Sequence, residues 1–149
     1  MRHFAKRLIV FETRGHESST DETPATFSAF EKLRPQLAIL MGEGGFRALL
    51  GRALSLAGTE VPWLRVVQVK TDGSLEGLVE MLQKQIGPDD FLEGAVVLLA
   101  KLLGLLAAFI GENLTLRLVH EVWPKVPLNG YDPDDRSKIG NGDKNEKTK

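Results

Sequence analysis

The segment that most resembles a ligand-binding loop is the glycine-rich turn at residues 42–47, which reads GEGGFR. Glycine lets backbone N–H groups approach a phosphate, and a helix opening after the turn adds the positive end of its dipole. Dinucleotide-binding loops carry a third glycine where this chain has Arg47, and they follow a strand, whereas the residues before Gly42 have a helical pattern. The segment is therefore either a plain interhelical turn or an anion-binding site. In the second case the protein is a small enzyme or a ligand-binding protein, and its binding residues are Gly44, Gly45, Arg47 and Arg52.

Other residue types that perform chemistry do not combine into a site. His120 and Glu121 form a His-Glu pair, but a zincin-type metal site needs a second His four residues after the first, where this chain has Pro124. The adjacent acids, such as Asp89 and Asp90, suit helix capping rather than general acid and base catalysis. The chain has no cysteine. We therefore predict no catalytic residue, no metal and no cofactor, and we favour a non-enzymatic protein.

Composition narrows the partners and the compartment. Nineteen Lys and Arg residues against 20 Asp and Glu give a net charge of −1, which is a poor basis for binding nucleic acid. The apolar run 8–11 is too short for a secretory signal and is followed by Glu12 and Arg14. The lack of a secretory signal and of cysteine predicts a cytoplasmic protein. The near-neutral net charge predicts no nucleic-acid partner.

The most apolar segment decides between a soluble and a membrane protein. Residues 95–110 are apolar on every side except at Lys101, as in a core helix or a membrane span. A 20-residue span over 91–110 includes Glu93 and Lys101, and each charge costs a few kcal/mol near the centre of a bilayer. We favour a buried core helix whose Lys101 reaches a carboxylate or the surface, and a membrane-associated subunit through 91–110 remains an alternative.

Small residues in the same segment predict an interaction surface. Ala100, Gly104 and Ala108 recur at every fourth position, which permits close helix packing within the domain or across a dimer. Trp63 and Trp123 each adjoin a proline, where a large ring closes a core or anchors a partner. These five residues are the candidate interaction residues.

The N-terminal half is predicted to be helical. Phe4, Leu8 and Phe11 predict a helix over 2–13, with a strand at 8–11 as the alternative. Residues 15–23 have a linker composition, and Thr23-Pro24 is typical of a helix start. The apolar stripe that follows should kink at Pro35, or divide there into two short helices, and end at the turn 42–45. A clear amphipathic helix then covers 46–57.

The C-terminal half contains one ambiguous segment. Residues 59–70 favour a short helix, but 66–70 also fit a strand, for which 8–11 is the best partner. Ser74 is a natural N-cap for a helix over 75–86. The apolar helix should begin at Asp89 and break at 111–113, because an unbroken helix to Trp123 would be about 52 Å long, more than the roughly 40 Å of a compact domain this size. A last helix is predicted over 114–123.

These elements predict an all-α protein. We expect a compact bundle of six or seven helices around 95–110, formed by a single domain over 1–126, with a flexible, disordered polar tail over 127–149. The expected function is that of a non-enzymatic interaction or regulatory module, which binds another protein or itself through a helical surface.

Overall fold

The computed structural model describes residues 1–15, 25–84 and 86–126. Most of the predicted linker, the Thr23-Pro24 start and the predicted tail lie outside the described residues. The described part forms five α-helices, two short 3-10 helices and one two-stranded hairpin. A mostly helical fold is therefore confirmed, whereas a bundle of six or seven helices is not. The elements are α1 (Arg2–Gly15), a 3-10 helix (Ala25–Phe27), α2 (Ser28–Gly58), a 3-10 helix (Pro62–Val66), β1 (Gln68–Val69), β2 (Leu75–Glu76), α3 (Leu78–Gln83), α4 (Pro88–Ile110) and α5 (Glu112–Val122).

Helix α1 confirms the predicted N-terminal helix but turns a different face to the core. Phe4 and Leu8 are buried as expected, whereas the Phe11 side chain is 40% exposed. The core-facing position one turn after Leu8 is occupied by Glu12, which continues the Phe4–Leu8 spacing of four residues and is 7% exposed. The strand alternative for 8–11 is wrong.

Helix α2 bends at Gly42 and not at Pro35. Pro35 lies inside the helix, whereas Gly42 has φ 81° and ψ 159°, a backbone conformation that only glycine adopts at low cost. The two halves, 28–41 and 43–58, fold towards each other there. Arg34 and Phe46 both reach the same backbone position, Gly73, although their Cα atoms would be about 18 Å apart in a straight helix.

The segment 59–76 combines both structures that its sequence suggests. A 3-10 helix covers Pro62–Val66, and the next residues form strand β1, which pairs antiparallel with β2 in the register Gln68 to Glu76. The partner strand was missed because Leu75 was assigned to a helix. Ser74 is not an N-cap, since its N–H and hydroxyl donate to Asp72 in the hairpin turn. Helix α3 is consequently only six residues long.

Helix α4 is the centre of the core, as predicted. It packs against α1, α2 and α5, and its residues from Ala95 to Leu103 are buried apart from Lys101. It ends where expected, at Gly111, which has φ 93° and ψ 158°. Helix α5 buries Thr115 and Val119, whereas Leu114 is exposed. Among the described helices, α4 alone is long and apolar enough to cross a membrane, and half of that stretch is buried inside the protein.

Candidate interaction surface

The C-terminal half of α4 has an uncovered apolar side. Gly104, Leu105, Ala108 and Phe109 share one face, because successive helical residues turn by about 100°. Phe109 is 69% exposed, and Leu114 beyond the Gly111 turn is 49% exposed. We call these five side-chain positions the α4–α5 surface: Gly104, Leu105, Ala108, Phe109 and Leu114.

The predicted small-residue stripe divides between the core and this surface. Ala100 is buried, whereas Ala108 is exposed. A Cβ atom added to Gly104 would meet no heavy atom within 4 Å. Gly104 therefore makes no close helix contact within the described part of the chain. Its side of α4 leaves room for another helix to approach.

Lys101 borders this surface and is paired as predicted. Its Nζ lies 2.7 Å from Oε2 of Glu60, and Arg2 bonds the other carboxylate oxygen of the same side chain. The Lys101 charge is thus balanced at the edge of the α4–α5 surface, and the centre of the surface is apolar. The three side chains also tie the end of α2 to α1 and α4.

Trp63 lies in an aromatic cluster. Its ring stacks on Phe91 with centroids 5.4 Å apart and planes 7° from parallel, and Phe27 contacts both rings edge-on. Gly94 makes this stack possible, because a Cβ atom there would lie 2.4 Å from the indole. The Trp63 Nε1 atom is buried and has no hydrogen-bond partner among the described residues. Trp63 thus packs between helices, away from the α4–α5 surface residues.

Trp123 is part of a buried polar site that sequence reasoning missed. Its side chain is 1% exposed, and its Nε1 donates to Oε1 of Glu12 at 3.0 Å. The same carboxylate accepts from Ser28 and lies 3.1 Å from the Lys32 ammonium. Glu12 therefore joins α1, α2 and the end of α5. The spacing of Glu12 from Phe4 and Leu8 was the signal for its burial.

The glycine-rich turn does not bring its predicted binding residues together. Gly44 and Gly45 lie within the second half of α2, and Arg47 donates from Nη1 to the Thr71 carbonyl at 2.8 Å. Arg52 is exposed five residues further on, about 140° around the helix. Arg47 thus holds the hairpin turn against α2, and an anion site at this turn stays a prediction.

The hairpin turn held by Arg47 is closed by Asp72. The Ser74 hydroxyl and N–H donate to Oδ1 of Asp72 at 2.6 Å and 2.9 Å. The Ser74 hydroxyl bond, then its backbone bond, hold the pKa of the Asp72 carboxyl below its ordinary value of 3.8, with Lys70 and Arg34 adding favourable charge. Arg34 also donates to the Asp72 carbonyl at 3.1 Å. The Asp72 charge therefore stabilises the turn.

Metal and acid–base candidates remain dispersed. His120 is exposed on α5. No three His, Asp or Glu side chains are arranged to hold a metal ion anywhere in residues 1–15, 25–84 and 86–126.

Comparisons of the chain with protein-family models, with curated proteins and with solved structures find no match. The function is accordingly argued from the geometry of the residues alone.

Proposed function

We propose that the protein is a non-enzymatic interaction module whose α4–α5 surface binds a protein partner, in the first instance a second copy of itself. The observation that carries the proposal is the 69% exposure of Phe109 beside the open side of Gly104. The expected compartment is still the cytoplasm, on the cysteine-free composition.

A second copy suits this surface because a two-fold dimer uses the same patch on both subunits. The small residues Gly104 and Ala108 let two α4 helices approach closely. Phe109 then contributes apolar area, and fully burying such a side chain stabilises a complex by about 1.5–3 kcal/mol. A symmetric pair buries two copies of it. Lys101 is already paired with Glu60 at the border, so its ammonium keeps a partner when the dimer forms.

Light scattering after size exclusion tests the proposal on the full chain. We expect the wild type to move towards twice its 16.4 kDa mass as concentration rises, and Phe109→Ser with Leu114→Ser to stay monomeric. Ile39→Ser is the matched control, since Ile39 is an 83% exposed apolar residue on α2. A wild type that is monomeric at every concentration, or a double variant that associates as well as the Ile39 control, would overturn the proposal.

A membrane-associated subunit is the second candidate, because α4 has the length and composition of a span. In that case α4 would leave its partners in the core, and Phe109 would contact acyl chains. Flotation of the full chain with liposomes distinguishes the two functions. Detergent-free solubility without flotation supports the interaction module, whereas flotation supports the membrane subunit.

A further inference from the structure

Helix α1 carries an open groove on the side away from the core. The groove has a volume of about 370 Å³. Its basic lining comes from His3, Lys6, Arg7 and Arg14, which recur along one helical face, with Val10 and Phe11 between them. The Phe11 ring is 40% exposed. The groove is thus apolar in the middle, and two exposed cations, Lys6 and Arg14, lie towards its ends.

The acidic group of α1 does not pair with Lys6 or Arg14. Glu12 is the one acid in α1, and it points into the core towards Trp123. Lys6 and Arg14 are exposed. An occupant of the groove should therefore be acidic and should carry apolar side chains.

The chain itself supplies such a segment at the edge of the groove. Val126 lines the groove, and its N–H donates to the Trp123 carbonyl at 3.1 Å. The next nine residues, 127–135, read PLNGYDPDD, with three aspartates, Leu128 and Tyr131. They contain no Lys or Arg, since the first basic residue is Arg136.

We propose that residues 127–135 bind the α1 groove of the same molecule as an internal acidic ligand. The three aspartates complement the charges of Lys6 and Arg14, and the apolar side chains of Leu128 and Tyr131 complement Val10 and Phe11. This surface is separate from the α4–α5 surface, so the proposal does not depend on dimer formation.

The length of the segment is sufficient. Nine extended residues span about 30 Å, whereas the helix from His3 to Arg14 is about 16 Å long. The other acidic segment near α1, residues 16–24, fits less well. It leads to the 3-10 helix Ala25–Phe27 and to Ser28, which bonds Glu12 on the buried side of α1.

A spin label tests the contact without truncating the protein. Because the chain has no cysteine, Ser137→Cys gives a single site for a nitroxide just beyond the acidic segment. We expect selective broadening of the amide resonances on the exposed face of α1. The broadening should fall at high salt and in the variant Asp132→Asn, Asp134→Asn, Asp135→Asn. The matched control is Asp143→Asn with Glu146→Gln, which neutralises later acids and should leave the broadening unchanged.

Three results would overturn the proposal. The first is no selective broadening of α1. The second is equal broadening in the triple variant and the wild type. The third is broadening that appears only when labelled and isotope-enriched copies are mixed, which would assign the contact to a second molecule.

Discussion

Glu12 shows how one carboxylate can organise three helices. Its partners are an indole N–H, a hydroxyl and an ammonium from different elements, so a buried acid is stabilised by several donors at once. A simple hydropathy pattern fails at this position, because the donors that satisfy it come from residues 16 to 111 positions away.

Replacing Glu12 should separate its role as an acceptor from its charge. Glu12→Ala leaves the buried Trp123 N–H without an acceptor, and we expect it to lower the free energy of unfolding by about 1–3 kcal/mol. Glu12→Gln keeps an acceptor and should cost clearly less, because Lys32 is 49% exposed and regains water. Urea denaturation measures the free energy of unfolding of both variants, and an unchanged m-value shows that the difference is one of stability. Equal losses would show that the charge dominates.

Asp72 gives the hairpin turn an acid-sensitive contact. Its pKa is lowered in the folded protein, so its stabilising effect is complete above pH 3.8 and is lost as the pH falls through the lower folded value. We expect the amide resonances of Gly73 and Ser74 to move over that acidic range and to stop responding in Asp72→Asn. If the Gly73 and Ser74 resonances still respond to pH in Asp72→Asn, another acid causes the response.

At the scale of elements, two helix ends rely on the same glycine conformation. Gly42 bends α2 and Gly111 separates α4 from α5, with φ of 81° and 93° and ψ of 159° and 158°. Any other residue is strained there, by about 1–3 kcal/mol. We expect Gly42→Ala and Gly111→Ala to destabilise the protein by that amount in urea, and Gly44→Ala, in ordinary helix, to cause no loss. A neutral Gly42→Ala would contradict this.

A second glycine pair tests the packing between elements. Gly94→Ala places a Cβ atom 2.4 Å from the Trp63 indole. Overpacking of this kind costs about 1–3 kcal/mol, partly offset by about 1 kcal/mol of helix propensity, so we expect a net loss of up to about 2 kcal/mol. Gly51→Ala faces open space and should be stabilising. Thermal unfolding of both variants checks the contrast, and similar melting temperatures would refute it.

The elements that sequence predicts best are those determined locally. The ends of α4 follow from Pro88 and Gly111, and the break before residue 46 follows from Gly42. The hairpin was missed because Leu75 and Val69 pair across a turn, and a local N-cap pattern at Ser74 suggested a longer helix.

The α4–α5 surface was only partly predictable. The small residues are visible in the sequence, but the exposure of Phe109 depends on which face of α4 the other helices cover.

At the scale of the whole molecule, α4 is the helix that the other helices enclose. Its central residues from Ala95 to Leu103 contact α1, α2 and α5, so their amides should open only when the protein unfolds globally. We expect Val97, Leu98 and Leu99 to show the slowest hydrogen exchange in the described part of the chain. Rapid exchange of these amides in water, with protection only in lipid vesicles, would favour the membrane candidate instead.

The separate positions of the two indoles give the molecule a pair of natural optical reporters. Trp63 stacks on Phe91 and contacts Phe27 edge-on, whereas Trp123 bonds to Glu12 on α1. With one of them changed to phenylalanine, the fluorescence of the other follows a single junction. The formation of the aromatic cluster and the packing of α5 on α1 can then be followed independently during refolding, with no dye attached.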